Sequence, residues 1–321
     1  MSVGRRWLVG SIRLLVISLV VFLLASIVTY ALGVISGITP AAFVAGDDAT
    51  AEDLARISHQ WGLDRPLLVQ YVNWLSAVLH GDLGTSWSNG ESVSALLLQK
   101  APISLSVALL ALLIGVIGGV ALGVVAAFRQ HGPIDRIITW VASVGTAVPA
   151  FAFGVLLILV FAVALKWFPA GGYVPFDQDA GKWLWTITLP AIALSFDTIG
   201  DLSRQVRAGL IGALDGNYVT GAVLQGFSRR HIIVHDVFRN GIGPALSILA
   251  LKFPTLLGGA VITESVFSMA GYGAYTAKAA QGGDLPVVQG ALIISITIVL
   301  IFNTAVNIVL DRFAPDRRGT L

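Results

Sequence analysis

Three charged residues stand inside strongly apolar sequence: Asp197 and Asp201, one helical turn apart, and Lys252. A bare charge at the centre of a bilayer costs on the order of 2.5–3.5 kcal/mol on insertion scales, so each should face protein or a water-filled cavity. Such a set could pair, could carry a proton or an ion, or could line the path of a charged solute. The plainer alternative is that each lies near the end of its span and reaches water separately, with Asp201 meeting Arg204 one turn on. A second group is basic. Arg229, Arg230, His231, His235 and Arg239 fall within eleven residues of a polar island at 215–244. His231 and His235 have the spacing of a helix face, and with no carboxylate motif beside them that face reads as a basic interfacial one, not a metal site. The rest of the inventory is negative. There is no G-x-x-x-x-G-K-[ST] string, so the chain should neither bind nor hydrolyse ATP. Cysteine is absent, which removes disulfides, thiolate metal ligands and cysteine nucleophiles together. Ser, His and Asp occur in no arrangement that singles out a nucleophile, and neither a catalytic residue, a cofactor nor a metal is expected in this chain.

The elements that must position these residues are membrane spans. The 321 residues are 56% hydrophobic and 12% charged, with a mean hydropathy of +0.83, whereas soluble domains carry about 25% charged residues. The formal net charge of +2 gives no support to a nucleic-acid partner. The pattern predicts an all-α polytopic membrane protein with about six transmembrane helices. Residues 1–13, holding Arg5, Arg6 and Arg13, form a cytoplasmic N-terminus; 14–32 is the first span, too long and uncleavable for a signal peptide. Residues 33–100, with Asp47, Asp48, Glu52 and Asp53, form an extracytoplasmic segment with amphipathic helices. Within it Pro66 suits a first helical position, and Val69, Val72, Trp74 and Leu75 suggest a helix lying at the interface.

Residues 101–310 form the core, with five further spans. The second, 102–128, carries Gly115, Gly118, Gly119 and Gly123 as a small-residue stripe for close helix packing. The third, 137–165, contains Pro149 and should be kinked or tilted. The fourth begins near Trp183 and includes Asp197 and Asp201; the fifth runs from about 240 to 263 around Lys252 and Pro254; the sixth covers 285–310, before a cytoplasmic C-terminus at 311–321. Thirteen of the twenty basic residues then fall on the cytoplasmic side, as the positive-inside rule requires, and both termini lie there.

The polar island has its own logic. Short helices that cross at Gly and Ala can approach closely and move as a rigid knob, so that a cytoplasmic partner's motion could enter the membrane there. Tyr218, Val219, Gly221, Ala222 and Gly226, followed by Arg229, Arg230, Arg239, Asn240 and Pro244, resemble the E-A-A-x-x-x-G coupling loop of ABC importer permeases. The string G-L-D-R-P-L-L-V-Q-Y with G-D-L-G-T-S-W at 62–87, L-L-G-G-A-V-I-T-E-S-V-F at 256–267 and D-L-P-V-V-Q-G at 284–290 extend the likeness. It is closest to the first permease subunit of the dipeptide, oligopeptide and nickel uptake systems. Two departures stand out: I-T-P-A-A-F-V-A-G-D-D at 38–48 replaces the family's P-G-D-P, and Asp197 and Lys252 are charged where relatives are not.

The resemblance implies a type I ABC importer permease fold in the inner membrane of a bacterium. It implies peptide translocation from an extracytoplasmic binding protein, beside a second, homologous permease and two ATPase subunits that hold ATP and Mg. It assigns Tyr218, Gly221, Ala222, Gly226, Arg229 and Arg230, in a coupling loop near 212–240, to contact with an ATPase, and it allows Pro149 and Pro254 to shape a translocation path with Asp197 and Lys252. Nickel chelates, glutathione or haem are alternative cargoes. An ion-coupled secondary transporter is the competing class, because Asp197, Asp201 and Lys252 could couple protons.

Overall fold

The computed structural model describes residues 3–35, 41, 45 and 50–313. The expected departure at 38–48 and the end of the C-terminus at 314–321 lie outside them, apart from Ala41 and Ala45. The described residues are mainly helical, with one isolated bridge between Thr85 and Ser92. Contacts divide the chain into two compact units, Met1–Pro102 with Ala274–Leu300, and Ile103–Gly273 with Ile301–Leu321.

In the first unit, α1 (Val3–Ile35) is apolar enough to cross a membrane over Val16–Gly33. α2 (Ala51–Gln60) starts at a capping box in which the Asp53 N–H donates to Thr50 Oγ1 at 3.2 Å and the Thr50 N–H donates to Asp53 Oδ2 at 3.4 Å. Gly62, at φ +67°, turns the chain into α3 (Leu67–Leu79); Pro66 is the residue before that helix, one position earlier than the sequence pattern suggests. α3 is held to α1 by polar groups: Tyr71 Oη and Ser26 Oγ are 2.8 Å apart, and Tyr30 Oη donates to Gln70 Oε1 at 3.0 Å. The start of α11 (Leu285–Phe313) is tied in twice. Gln289 Nε2 donates to the Ser26 carbonyl at 2.9 Å, and the Asp284 carboxylate accepts from Ser86 Oγ at 2.6 Å and from the Trp87 and Ser88 N–H groups at 3.2 Å. Thus the G-D-L-G-T-S-W and D-L-P-V-V-Q-G strings, far apart in sequence, meet through one buried carboxylate.

The second unit is built around α7 (Ala180–Leu214), whose 35 residues extend about 52 Å at the helical rise. The glycine stripe of α4 (Val93–Phe128) is its bed: a Cβ on Gly115 would come within 2.6 Å of Thr198, on Gly119 within 2.7 Å of Leu202, and on Gly123 within 2.7 Å of Ser203 and Val206. α5 (Pro133–Ala147) packs on another side, where Gly200 leaves room for the Ala142 carbonyl at 2.6 Å. The expected third span is not one kinked rod. α5 and α6 (Ala150–Ala164) meet at 105°, because Val148 is extended at ψ 123° ahead of Pro149, as the pre-proline clash favours, and the helix cannot continue through them. Residues Ile158–Ala164 of α6 are π-helical.

After α8 (Asn217–Leu224) the chain runs through α9 (Arg229–Val266), with a π-helical stretch at Ile232–Val237 and a bend at Ile242 ahead of Pro244. α10 (Tyr272–Gln281) follows, and it is preceded by a turn in which the buried Glu264 carboxylate accepts from Ser104 Oγ, itself an acceptor for the Tyr272 N–H at 2.9 Å. Among the described residues four helices are long and apolar enough to span by composition, within α1, α4, α9 and α11, and the bent α5–α6 pair would be a fifth. The expectation of about six adds α7, which has the length but carries Asp197, Asp201, Arg204 and Arg207.

Candidate functional site

The membrane charges form a cluster. Lys252 of α9, nearly buried, reaches Asp197 Oδ2 at 2.6 Å and also contacts Asp201 Oδ2, so one ammonium bridges two carboxylates a turn apart on α7. Asp201 is shared with Arg204, which reaches across to α5, donating to the Ala142 carbonyl at 3.3 Å and Thr146 Oγ1 at 3.2 Å. The two acids and two bases balance. The cluster therefore holds α5, α7 and α9 together with no net charge, and about a third of each acid side chain stays exposed. The alternative in which Asp197 and Lys252 reach water separately does not describe this geometry.

Further along α7, Arg207 makes a bidentate bridge to Asp135 at the start of α5, with Nε to Oδ1 at 2.6 Å and Nη2 to Oδ2 at 2.8 Å. The His131 N–H donates to the same carboxylate at 3.0 Å. Asp135 does not stand out in the sequence. An acid in the first turn of a helix reads as a cap, and only the fold shows the arginine it faces.

α7 ends at Leu214, and α8 follows as a short foot. Tyr218 Oη donates back to the Ala213 carbonyl at 2.8 Å, and Gly216 is required beneath the ring, since a Cβ there would lie 2.4 Å from Tyr218 Cε1. α8 closes in a Schellman motif: the Phe227 N–H donates to the Ala222 carbonyl at 3.1 Å and the Gly226 N–H to the Val223 carbonyl at 3.0 Å. Gly226 sits at φ +78° with nothing within 4 Å of an added Cβ, so its backbone conformation, not packing, demands glycine. Gly221 also has open space around it. The small-residue helix contact expected at Gly221 and Gly226 is therefore corrected. The close crossing lies at Gly209 of α7 and Gly241 of α9, where a Cβ on Gly209 would be 2.1 Å from the Gly241 carbonyl oxygen. Neither glycine stands out in the sequence, because a lone glycine in a helix shows its partner only once the two helices are placed.

The foot is anchored on one side and open on the other. Val219 and Ala222 pack against a buried cluster that includes Leu202, Val206 and Leu210 of α7 with Ile232 and Val237 of α9. Tyr218, Val223, Leu224 and Phe227 are exposed, Leu224 by 83%. Arg229 and Arg230 are exposed beside them, and the rings of Phe227, His231 and His235 stack in series at 4.9 and 4.4 Å. Pro149 lies exposed at the α5–α6 break, and Pro254 is inside α9, two residues from Lys252.

The family described as binding-protein-dependent transport system inner membrane component matches residues 119–319, and its N-terminal companion matches residues 6–108. A peptide transport system permease protein of Brucella abortus, named as putative, is 35% identical over 90% of this chain and 92% of its own length. The dipeptide transport system permease protein of Lactococcus lactis is 30% identical over 90% and 92%, and a probable D,D-dipeptide permease of Escherichia coli is 32% identical over 85% of each. A solved methionine ABC transporter aligns with 68% of this chain and 94% of its own at 14% identity, with a TM-score of 0.49.

Proposed function

The chain belongs to the family of binding-protein-dependent transport system inner membrane components, and from that premise we propose that it is one permease subunit of an ATP-driven importer that takes peptides from an extracytoplasmic binding protein. Support for the peptide cargo comes from relatives with peptide and dipeptide names that align over most of their length. ATP and Mg belong to two ATPase partners, and a second, homologous permease completes the path. Both termini and Arg229 face the cytoplasm; Asp64 and Glu264 lie toward the other side.

The observation that carries the mechanism is the unbroken α7. One end adjoins the foot with its exposed apolar and basic side chains, and Asp197 and Asp201 lie along the same rigid helix, paired with Lys252. An ATPase that grips Tyr218, Val223, Leu224, Arg229 and Arg230 would move α7 and α9 together, since Gly209 and Gly241 lock them backbone to backbone. That motion would load the ion cluster, and the cluster opening or re-pairing would gate the path beside Pro149 and Pro254.

The test is uptake of a labelled dipeptide into proteoliposomes holding the complete importer. Gly226→Leu, which forces a branched side chain into a positive φ, should abolish uptake while the chain remains in the membrane. Normal uptake would contradict the assignment of the loop. Calorimetry on the cognate binding protein separates peptides from nickel chelates, glutathione and haem.

A further inference from the structure

Within the first unit lies a pocket of about 200 Å³ that the transport reading does not use. Tyr30 of α1, Trp61 and Arg65 around the α2–α3 turn, Trp74 of α3, Trp87 and Gln289 of α11 are among its walls. Trp61 and Trp87 stack with centroids 5.3 Å apart and planes within 7°, giving one flat side. Two residues of these walls each carry an unsatisfied polar atom. Gln289 is fully buried and its Nε2 is engaged by the Ser26 carbonyl, but its Oε1 has no partner among the described residues; Trp74 Nε1 is buried and also has none. An unpaired buried donor or acceptor costs about 1–3 kcal/mol. One of each, on two residues that line one pocket, suits an occupant that accepts from the indole and donates to the amide. Arg65, exposed, adds a cation.

The surroundings say which occupant. α3 exposes Leu68 by 74% and Leu79 by 79%, and α1 exposes Leu19, Leu24 and Val28 by half or more. Apolar faces on both helices, with tryptophans between polar groups, place the pocket at the boundary between hydrocarbon and water. We propose that it binds the headgroup of a glycerophospholipid that carries a hydrogen-bond donor, phosphatidylethanolamine or phosphatidylglycerol. The phosphate faces Arg65, an oxygen of the phosphate or ester accepts from Trp74 Nε1, and the ammonium or glycerol hydroxyl donates to Gln289 Oε1. The acyl chains lie along α1. A dipeptide offers a similar set of polar groups but has no use for the apolar faces.

Native mass spectrometry of the purified, delipidated importer decides the matter, with titration by phosphatidylethanolamine, phosphatidylglycerol and phosphatidylcholine of the same chain length. Choline has neither N–H nor O–H, so the first two should be retained about fivefold better, the factor expected of one hydrogen bond. Trp74→Phe keeps a ring beside Phe22 and Tyr71 and should lower retention of all three lipids; Arg65→Gln should do the same, and Arg56→Gln, on α2 and outside the pocket lining, should not. Gln289→Leu should erase the preference for donor headgroups. If that variant is lost from the membrane because its bond to Ser26 is gone, the Trp74 and Arg65 variants still decide. Equal retention of the three lipids, or wild-type binding by both Trp74→Phe and Arg65→Gln, would overturn the proposal. Displacement of the lipid by Ala-Ala would overturn it in favour of a peptide site.

Discussion

The ion cluster on α7 and the foot at α8 are built from similar residue types and finished in opposite ways. In the cluster, Lys252, Asp197, Asp201 and Arg204 find one another within the chain. In the foot, Arg229, Arg230, Leu224 and Phe227 are left exposed. A charge in a low-dielectric setting must be paired where it stands, whereas a surface that awaits a second protein can hold its groups open. Completeness within one chain marks the part that holds shape, whereas the foot keeps its groups open to solvent.

Substitutions can break this contrast, and the largest effect belongs to the crossing that joins the two regions. Gly209→Leu would drive a side chain into the Gly241 backbone and should cost about 3 kcal/mol, seen as loss of the chain from membranes on immunoblot. Gly221→Ala, with open space around it, should keep the chain and gain up to about 1 kcal/mol of helix stability. If both behave alike, the crossing has been misplaced.

Next comes the cluster. Lys252→Met leaves Asp197 without its ammonium, and the loss should be on the order of 2 kcal/mol, between the limits for exposed and buried pairs because the acids are partly open. Thermal unfolding in detergent measures it, and dipeptide uptake should fall with it. Exchanging Lys252 and Asp197 should recover only part of the loss, since the new acid at 252 would face Asp201. By contrast, Arg229→Ala with Arg230→Ala should change stability by less than about 0.5 kcal/mol and still reduce uptake. A stable, fully active Lys252→Met chain would strip the cluster of its role. Uptake driven by a proton gradient in liposomes holding this chain alone would move the whole account to secondary transport.

Much of this was legible in the sequence. Apolar runs fall on α1, α4, α9 and α11, the four glycines of α4 announce a close neighbour, and two acids at i, i+4 with a lysine on the next apolar helix invite pairing. What stayed hidden depends on two distant segments at once. Pro149 signals a break but not a 105° one; Asp135 looks like a helix-start acid until Arg207 is beside it; Asp284 and Ser86 carry no mutual signal at all. In the foot, the Gly226 position was legible, but the reason was a positive φ and not a helix contact.

The smallest effect lies in the first unit. The hydrogen bond from Thr50 and then that from Arg56 hold the Asp53 carboxyl below its ordinary value. A lowered folded value means that the cap's contribution is present above the ordinary carboxylate range and is lost as pH falls through the depressed value. Protection of the α2 amides, taken relative to their intrinsic exchange rates, should therefore fall only in acid, and in Thr50→Ala the onset should move to higher pH.

The central claim is that the exposed side of α8 is covered by an ATPase partner. Because the chain has no cysteine, a single one placed at Val223 can be labelled with a maleimide in membranes made with and without the ATPase subunits, with one at Arg56 as the control. Position 223 should label strongly in the chain alone and be protected when the ATPase subunits are present, with no change at 56. Equal labelling of position 223 in the two membranes would contradict the central claim.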